Sequence, residues 1–394
     1  MGARLTLLAG VLLLGACAHG PTRPPTRTEA LGNLYSDNAG LQVVTAGARV
    51  EQPLSAGLSV ELKALADVIT LTDSGGEHTP GTGDGHDHGG GDGLGGVDAV
   101  SSASSVVAGG RGTTEQRYEG AVGFKWRQRV EQLPVTLAVS AQGSGESDYL
   151  AMSGRVAGTV ELFQRNLALT AFVGGGRDAV RPLEAPPGEE GQWPAHHQRL
   201  TAGFSASQLL SPRLIFSGGL AASAQSGTLS SPYRRARVLT SLFPERLPAD
   251  RLRTTGYLGL SWSPRTGTGL HLRQGLYADS WGVRSLAPEL ALAQQALRQG
   301  LLTLSYRLYL QDGARFYAAR YETLPDVRSS DPRLGTVVEH RPGVKLAWTL
   351  WGHPEASEFL RLQGGYALSL LRHVEAGNHR TTAHVVSLGL TANL

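Results

Sequence analysis

The 394-residue chain carries 36 Lys+Arg against 33 Asp+Glu, a net charge of +3, with 41% hydrophobic residues, 52 glycines and a single cysteine. It has no Lys/Arg block and no basic stretch interleaved with aromatics, so nucleic-acid binding lacks support. Nor does any apolar run beyond the N-terminus reach the roughly 18 residues of a membrane-spanning helix. Helical membrane proteins are excluded, whereas a β-barrel whose every second side chain faces a lumen has the half-apolar average of this chain.

Residues 1–17 combine Arg4, an apolar run from Leu5 to Leu14 and the sequence Leu14-Gly15-Ala16-Cys17, which predicts a signal peptide forming an N-terminal helix and ending in a lipobox-like site. Cys17 is then the lipidated first residue of the mature chain. The alternative is ordinary cleavage near Ala16 or Ala18, with Cys17 incidental. Residues 18–40, with Pro21, Pro24 and Pro25, predict a linker.

From residue 41 onward the chain alternates with period two over stretches of about ten residues. Leu302, Leu304, Tyr306, Leu308 and Leu310 alternate with Thr303, Ser305, Arg307, Tyr309 and Gln311; Val386, Leu388, Leu390, Ala392 and Leu394 alternate with Ser387, Gly389, Thr391 and Asn393. Soluble sandwich strands are shorter, about five or six residues. The predicted strands are 41–50, 56–70, 116–128, 134–142, 149–162, 167–174, 198–207, 213–223, 252–262, 268–279, 283–294, 301–311, 343–351, 358–371 and 384–394. A single-chain barrel with both termini on one side needs an even number, so a weak strand near 31–38 is expected to complete sixteen, with fourteen as the alternative. The fold expected is therefore all-β, a transmembrane up-and-down antiparallel β-barrel over residues 41–394.

Short turns at 131–134, 163–166, 210–213 and 264–267 alternate with long segments near 72–115, 174–197, 226–250 and 311–341. In outer-membrane barrels the short turns are periplasmic and the long loops extracellular. Trp126, Phe163, Phe216, Trp262, Trp348 and Trp351 lie near the short turns on the outward parity, as an aromatic girdle would.

The Gly/His-rich loop at 72–115 holds His78, Asp84, His86 and His88, a candidate ligand set for a divalent metal such as Zn²⁺, Cu²⁺ or Ni²⁺. The competing reading is a solvated loop whose acids and histidines keep it soluble. The remaining histidines, His196, His197, His340, His353, His373, His379 and His384, are scattered without a Gly-x-Ser-x-Gly elbow, so no enzyme is expected. Asp279-Ser280-Trp281 at a strand end is the one constellation with a catalytic flavour, against a turn in which Asp and Ser bond their own backbone.

On the inward parity, Lys63, Lys125, Arg127, Arg155, Arg199, Arg213, Arg273, Arg307, Lys345 and Arg361 outnumber Glu61, Asp67, Glu119, Glu161 and Asp279. In an open lumen such charges favour anions; in a filled one they pair across strands and bind nothing.

Several phrases carry a family resemblance: Asp67-Val68-Ile69-Thr70, Val97-Asp98-Ala99-Val100-Ser101-Ser102-Ala103-Ser104, Ser231-Pro232-Tyr233-Arg234, Ala278-Asp279-Ser280-Trp281-Gly282, Tyr306-Arg307-Leu308-Tyr309-Leu310-Gln311 and Ser330-Asp331-Pro332-Arg333-Leu334-Gly335. In this order, over about residues 40–394, the chain resembles the bacterial family known as domain of unknown function 3570. The resemblance implies an outer-membrane barrel without an assigned activity.

Taken together, the residues and the resemblance predict a bacterial outer-membrane barrel acting as a passive pore or surface transport component, weakly anion-selective, without cofactor. The alternatives are a non-conducting structural or assembly partner of a surface or periplasmic complex, and loop-based metal binding. The partners expected are outer-membrane lipid and the barrel-insertion machinery.

Overall fold

The computed structural model describes residues 25–71, 114–182, 193–353, 358–375 and 379–394. In chain order the strands are β1 (Arg27–Asp37), β2 (Leu41–Pro53), β3 (Leu58–Leu71), β4 (Thr114–Val130), β5 (Leu133–Gly145), β6 (Tyr149–Leu162), β7 (Leu167–Val180), β8 (Ala195–Ser211), β9 (Leu214–Gly227), β10 (Arg235–Val238), β11 (Ser241–Pro244), β12 (Asp250–Arg265), β13 (Thr268–Asp279), β14 (Arg284–Gln295), β15 (Gly300–Asp312), β16 (Val337–Gly352), β17 (Phe359–His373) and β18 (His379–Asn393). All but β10 and β11 form one closed antiparallel barrel of sixteen strands; β10 and β11 pair only with each other, and β9 pairs directly with β12.

Closure is made by β1 and β18, in register from Arg27 opposite Asn393 to Asp37 opposite Ala383. Reciprocal backbone hydrogen bonds between Thr26 and Leu394 (2.7 and 3.0 Å) extend the seam to the terminus. Residues 27–37, read from sequence as part of a linker, are thus wall, and they are the sixteenth strand expected near 31–38. The even positions of β1 that face outward, Thr28, Ala30, Gly32, Leu34 and Ser36, include one large apolar side chain, which is why the alternation is faint there. The predicted signal segment, Cys17 and the start of the linker lie outside the described residues.

Alternation marks only the apolar belt of each strand. β7 runs to Val180, β8 starts at Ala195, β16 at Val337 and β18 at His379, all beyond the predicted limits. Beyond the belt charged and polar residues such as Arg177, Asp178, His197 and Glu339 interrupt the alternation, so the hydropathy period fades while the ladder continues.

The outward parity is as read from sequence. Leu304 (50%), Phe204 (59%), Leu200 (60%) and Leu388 (60%) stand out from the barrel wall. Each such side chain moved from water into an apolar medium contributes about 1.5–3 kcal/mol, so this exterior requires a lipid-like solvent. Trp126, Phe163, Phe216, Trp262 and Trp351 are exposed at the end of the barrel that holds the short turns and the C-terminus. Trp348 joins them by lying across Gly300, where an added Cβ would meet its ring at 2.7 Å, so only glycine fits.

At the other end, outward Tyr306 and Tyr366 hydrogen-bond His340 Nδ1 (2.7 Å) and His384 Nδ1 (2.8 Å). Tyr118 and Trp126 on β4, and His340 and Trp348 on β16, bracket eight-residue stretches. At about 3.3 Å per residue and a tilt of about 40°, that is about 20 Å of barrel height, near the apolar band of about 25 Å in such barrels.

Two outcomes test this architecture. A chain started at Leu41 should lose heat-modifiable migration in detergent, since β18 and β2 then present open edges; retention of the folded band would return 27–37 to linker. Leu304→Arg should block folding at a cost of about 2–4 kcal/mol while Ser305→Arg folds, because only the former places a charge in the apolar band. Equal folding yields would reverse the assigned parity.

Candidate functional site: the lumen and its lidded mouth

The interior has two electrostatically different walls. On β1–β4, inward side chains form a continuous ladder of ion pairs. Arg49 meets Glu29 (3.6 Å) and Glu61 (2.9 Å); Lys125 meets Glu51 (3.3 Å) and Glu61 (2.9 Å). Lys63 and Arg117 share Glu119 (3.1 and 3.0 Å), and Arg127 reaches Glu51 at 3.6 Å. The structure places Lys63, Lys125 and Arg127 in these ion pairs, each with a carboxylate partner.

On the wall from β6 to β17, Arg251 pairs with Asp279 (2.6 Å), while four other arginines lie over aromatic rings. Arg155 lies 4.0 Å over Phe172, Arg273 4.9 Å over Tyr257, Arg307 5.6 Å over Tyr309 and Arg253 5.7 Å over Tyr277. Such contacts hold a guanidinium without cancelling its charge. Lys345 faces the lumen opposite Thr303, and Arg361 opposite Thr349 and Thr391. Arg213 does not belong to the lumen: it sits in the β8–β9 turn and donates to the Pro264 carbonyl (3.2 Å). The inward Arg49, Arg117, Arg251 and Arg341, and their acidic counterparts Glu29, Glu51, Glu289 and Glu339, share the parity that identified the others. Those on β1 and at the start of β16 were missed because the strand limits were drawn too short.

The mouth opposite the C-terminus is crossed by a lid of two segments, 228–249, which contains the β10–β11 hairpin, and 313–336. They interlock through the bridges Val238 to Tyr321 and Arg246 to Arg328, and the second segment folds on itself through Tyr317 to Ser329. Beneath, Leu229, Trp281, Val283, Ala314 and Leu334 form an apolar cluster against inward Tyr277. Gln311, inward on β15, donates to the Arg333 and Gly335 carbonyls (both 2.8 Å), and His373 of β17 lies 3.2 Å from the Pro332 carbonyl. On the far side, Tyr233 donates to Asp148 in the β5–β6 turn. Asp148 and His373 stand on nearly opposite sides of the sixteen-strand ring, so the lid spans the mouth close to a diameter.

Polar groups are enclosed in the lid. Asp331 accepts from Arg234 and from Arg333 (3.0 Å), and Glu245 accepts from the Ser329 hydroxyl (2.5 Å) and the Ser231 amide (3.2 Å). Burial pushes the Glu245 carboxyl above the ordinary range, opposed by Arg234 and reinforced by Asp331. Burial together with Glu375 and Asp331 pushes Tyr317 up to about 12. Four of the phrases that carry the family resemblance, around Ser231–Arg234, Asp279–Trp281, Gln311 and Asp331–Gly335, converge here.

Asp279 answers to the turn reading: Oδ1 accepts from the Trp281 and Val283 amides (2.9 and 3.0 Å) and Oδ2 from Arg251 (2.6 Å) and Tyr277 (2.8 Å). His197 pairs with Asp178 (2.7 Å), which also accepts from Tyr149 (2.5 Å), a buried wall contact under the lid. Among the described residues no group of three His, Cys, Asp or Glu could hold a metal. His78, Asp84, His86 and His88 lie outside the described residues, as does Cys17.

Fold and interior thus define a closed transmembrane β-barrel with a charged lumen and a loop-built lid. The chain belongs to the family described as Protein of unknown function (DUF3570), whose model matches residues 27–360 and so begins at the first residue of β1 rather than near residue 40. Among solved structures, a bacterial polysaccharide outer membrane secretin is similar at 9% identity over 95% of this chain and 99% of that one, with a TM-score of 0.49. A ferric enterobactin receptor variant (10% identity, 90% and 54% coverage, TM-score 0.44) and the siderophore receptor PirA (10%, 94% and 63%, 0.41), both from Pseudomonas aeruginosa, are also similar. The chain spans between half and two thirds of the length of these two receptors. No curated protein matches it.

Because the folded Glu245 carboxyl is raised, its contribution to lid stability is full below the ordinary glutamate range of about 4.3 and is lost as pH climbs through the raised value. Limited proteolysis of segment 228–249 should therefore speed up with pH in the wild type, and Glu245→Gln should flatten that dependence. An unchanged profile in the variant would assign the titration elsewhere.

Proposed function

We propose that the protein is a bacterial outer-membrane barrel that passes small anionic solutes, with no catalytic role and no cofactor. The supporting observation is the lumen wall from β6 to β17, where Arg155, Arg273, Arg307, Lys345 and Arg361 face the interior with no ion pair to a carboxylate among the described residues. Barrels of 16 to 18 strands are wide enough for an aqueous channel, and a wall of unneutralised cations raises the local anion concentration. Outer-membrane lipid is the solvent that the apolar belt calls for, and the barrel-insertion machinery is the partner that such a chain requires. Cys17 lipidation and divalent-metal binding at His78, Asp84, His86 and His88 remain part of the proposal on sequence grounds.

The lid supports a second reading. A packed, cross-linked cover over the mouth suits a non-conducting scaffold whose outer surface docks a partner. Planar-bilayer recordings separate the two.

A salt gradient should give an anion-selective reversal potential that weakens as the Debye length falls from about 10 Å at 0.1 M to about 3 Å at 1 M. Arg307→Ser with Arg361→Ser should shift it toward cations, whereas Lys63→Ser, already paired with Glu119, should move it little. Cation selectivity, or no conductance at any voltage, would favour the scaffold.

A further inference from the structure

We propose that the lumen face of β13–β16 is a binding subsite for a small oxyanion, formed by Arg273, Arg307 and Arg341. Arg273 is in register with Glu289, Glu289 with Arg307, and Arg307 with Arg341, on four successive strands and all on the inward parity. Arg307 and Arg341 are therefore like charges directly opposite each other, an arrangement that destabilises a sheet. Glu289, one strand away, makes no ion pair with any of the three arginines. The β1–β4 wall shows how this chain neutralises a cation when structure alone is served: each of Arg49, Lys63, Arg117, Lys125 and Arg127 has a carboxylate. On that wall Arg49 also stands opposite Lys63, but Glu61 and Glu119 neutralise them, whereas Arg307 and Arg341 pair with no carboxylate among the described residues.

Its chemistry suits capture from the lumen. Arg273 lies 4.9 Å over the Tyr257 ring and Arg307 5.6 Å over the Tyr309 ring, contacts that leave the charge of each guanidinium uncancelled. A guanidinium fork matches two oxygens of a phosphate, sulfate or carboxylate, whereas chloride offers one point. An oxyanion bridging Arg307 and Arg341 offsets the repulsion between these two opposed cations. The subsite rests on the pore reading for its access and deepens it by naming the solute class.

The test uses full-length, detergent-folded protein and inorganic phosphate, titrated calorimetrically at constant ionic strength set with chloride. A saturable phosphate site is expected in the wild type, weakened at least tenfold in Arg307→Gln with Arg341→Gln and unchanged in Lys63→Gln. Should the double variant lose heat-modifiable migration, Arg341→Lys keeps the charge but removes the fork, and it should also weaken binding. Absence of saturable binding to folded wild type, or undiminished binding in the variants, overturns the subsite. Conductance without phosphate binding overturns the subsite and leaves the pore standing. Phosphate binding without conductance does the reverse.

Discussion

Everything in this barrel follows from one constraint: in an apolar medium each backbone N–H and C=O must be paired within the protein, because no water is there to take its place. A sheet meets that demand only by closing on itself, so the pairing of β1 with β18 governs the whole wall. Closure fixes register around the ring, and register fixes which side chains look inward, since a slip of one residue would turn an entire strand over. The apolar exterior and the charged lumen are two faces of that single arrangement.

Within the lumen, register decides chemistry. On β1–β4 it sets Arg49 opposite Glu29 and within reach of Glu61, and Lys125 within reach of Glu51 and Glu61, so charge cancels over 2.9–3.6 Å. On β13–β16 the same ladder sets Arg307 opposite Arg341, and rings rather than carboxylates lie against Arg273 and Arg307. Desolvation can exceed the Coulombic gain when ions are buried, so an inward cation without a carboxylate is costly unless it keeps contact with water. The field of the lumen is consequently lopsided, with its positive side on the half from β6 to β17.

The sequence carried the parts of this arrangement that are local. Alternation in segments such as Leu302–Gln311 located most strands and their faces, and tryptophans at one parity located the girdle. β1 escaped because Thr28, Ala30, Gly32 and Ser36 give its outward face little hydropathy contrast, although its neighbours force it into the wall. Charge pairing escaped because it depends on cross-strand register: the inward list counted Lys63 and Glu119 without showing that they touch. The two lid segments were legible as long loops near 226–250 and 311–341, but their packing into a cover was not, since it comes from contacts such as Arg234 with Asp331, almost a hundred residues apart, and no local period announces them.

The lid and the cationic row are also joined by contact. On β15, successive inward positions carry Arg307, Tyr309 and Gln311. Arg307 lies over the Tyr309 ring, the Tyr309 hydroxyl donates to Gln311 Oε1 (2.6 Å), and Gln311 Nε2 donates to two lid carbonyls at 2.8 Å. A displacement of Arg307 toward the lumen changes the packing of Tyr309, and Tyr309 positions the amide on which residues 333–335 rest. Side chains that look like separate features, a charged row deep in the barrel and a cover over its mouth, are thus consecutive members of one inward-facing strand edge. A solute that engages the row acts on the same strand that holds the lid in place.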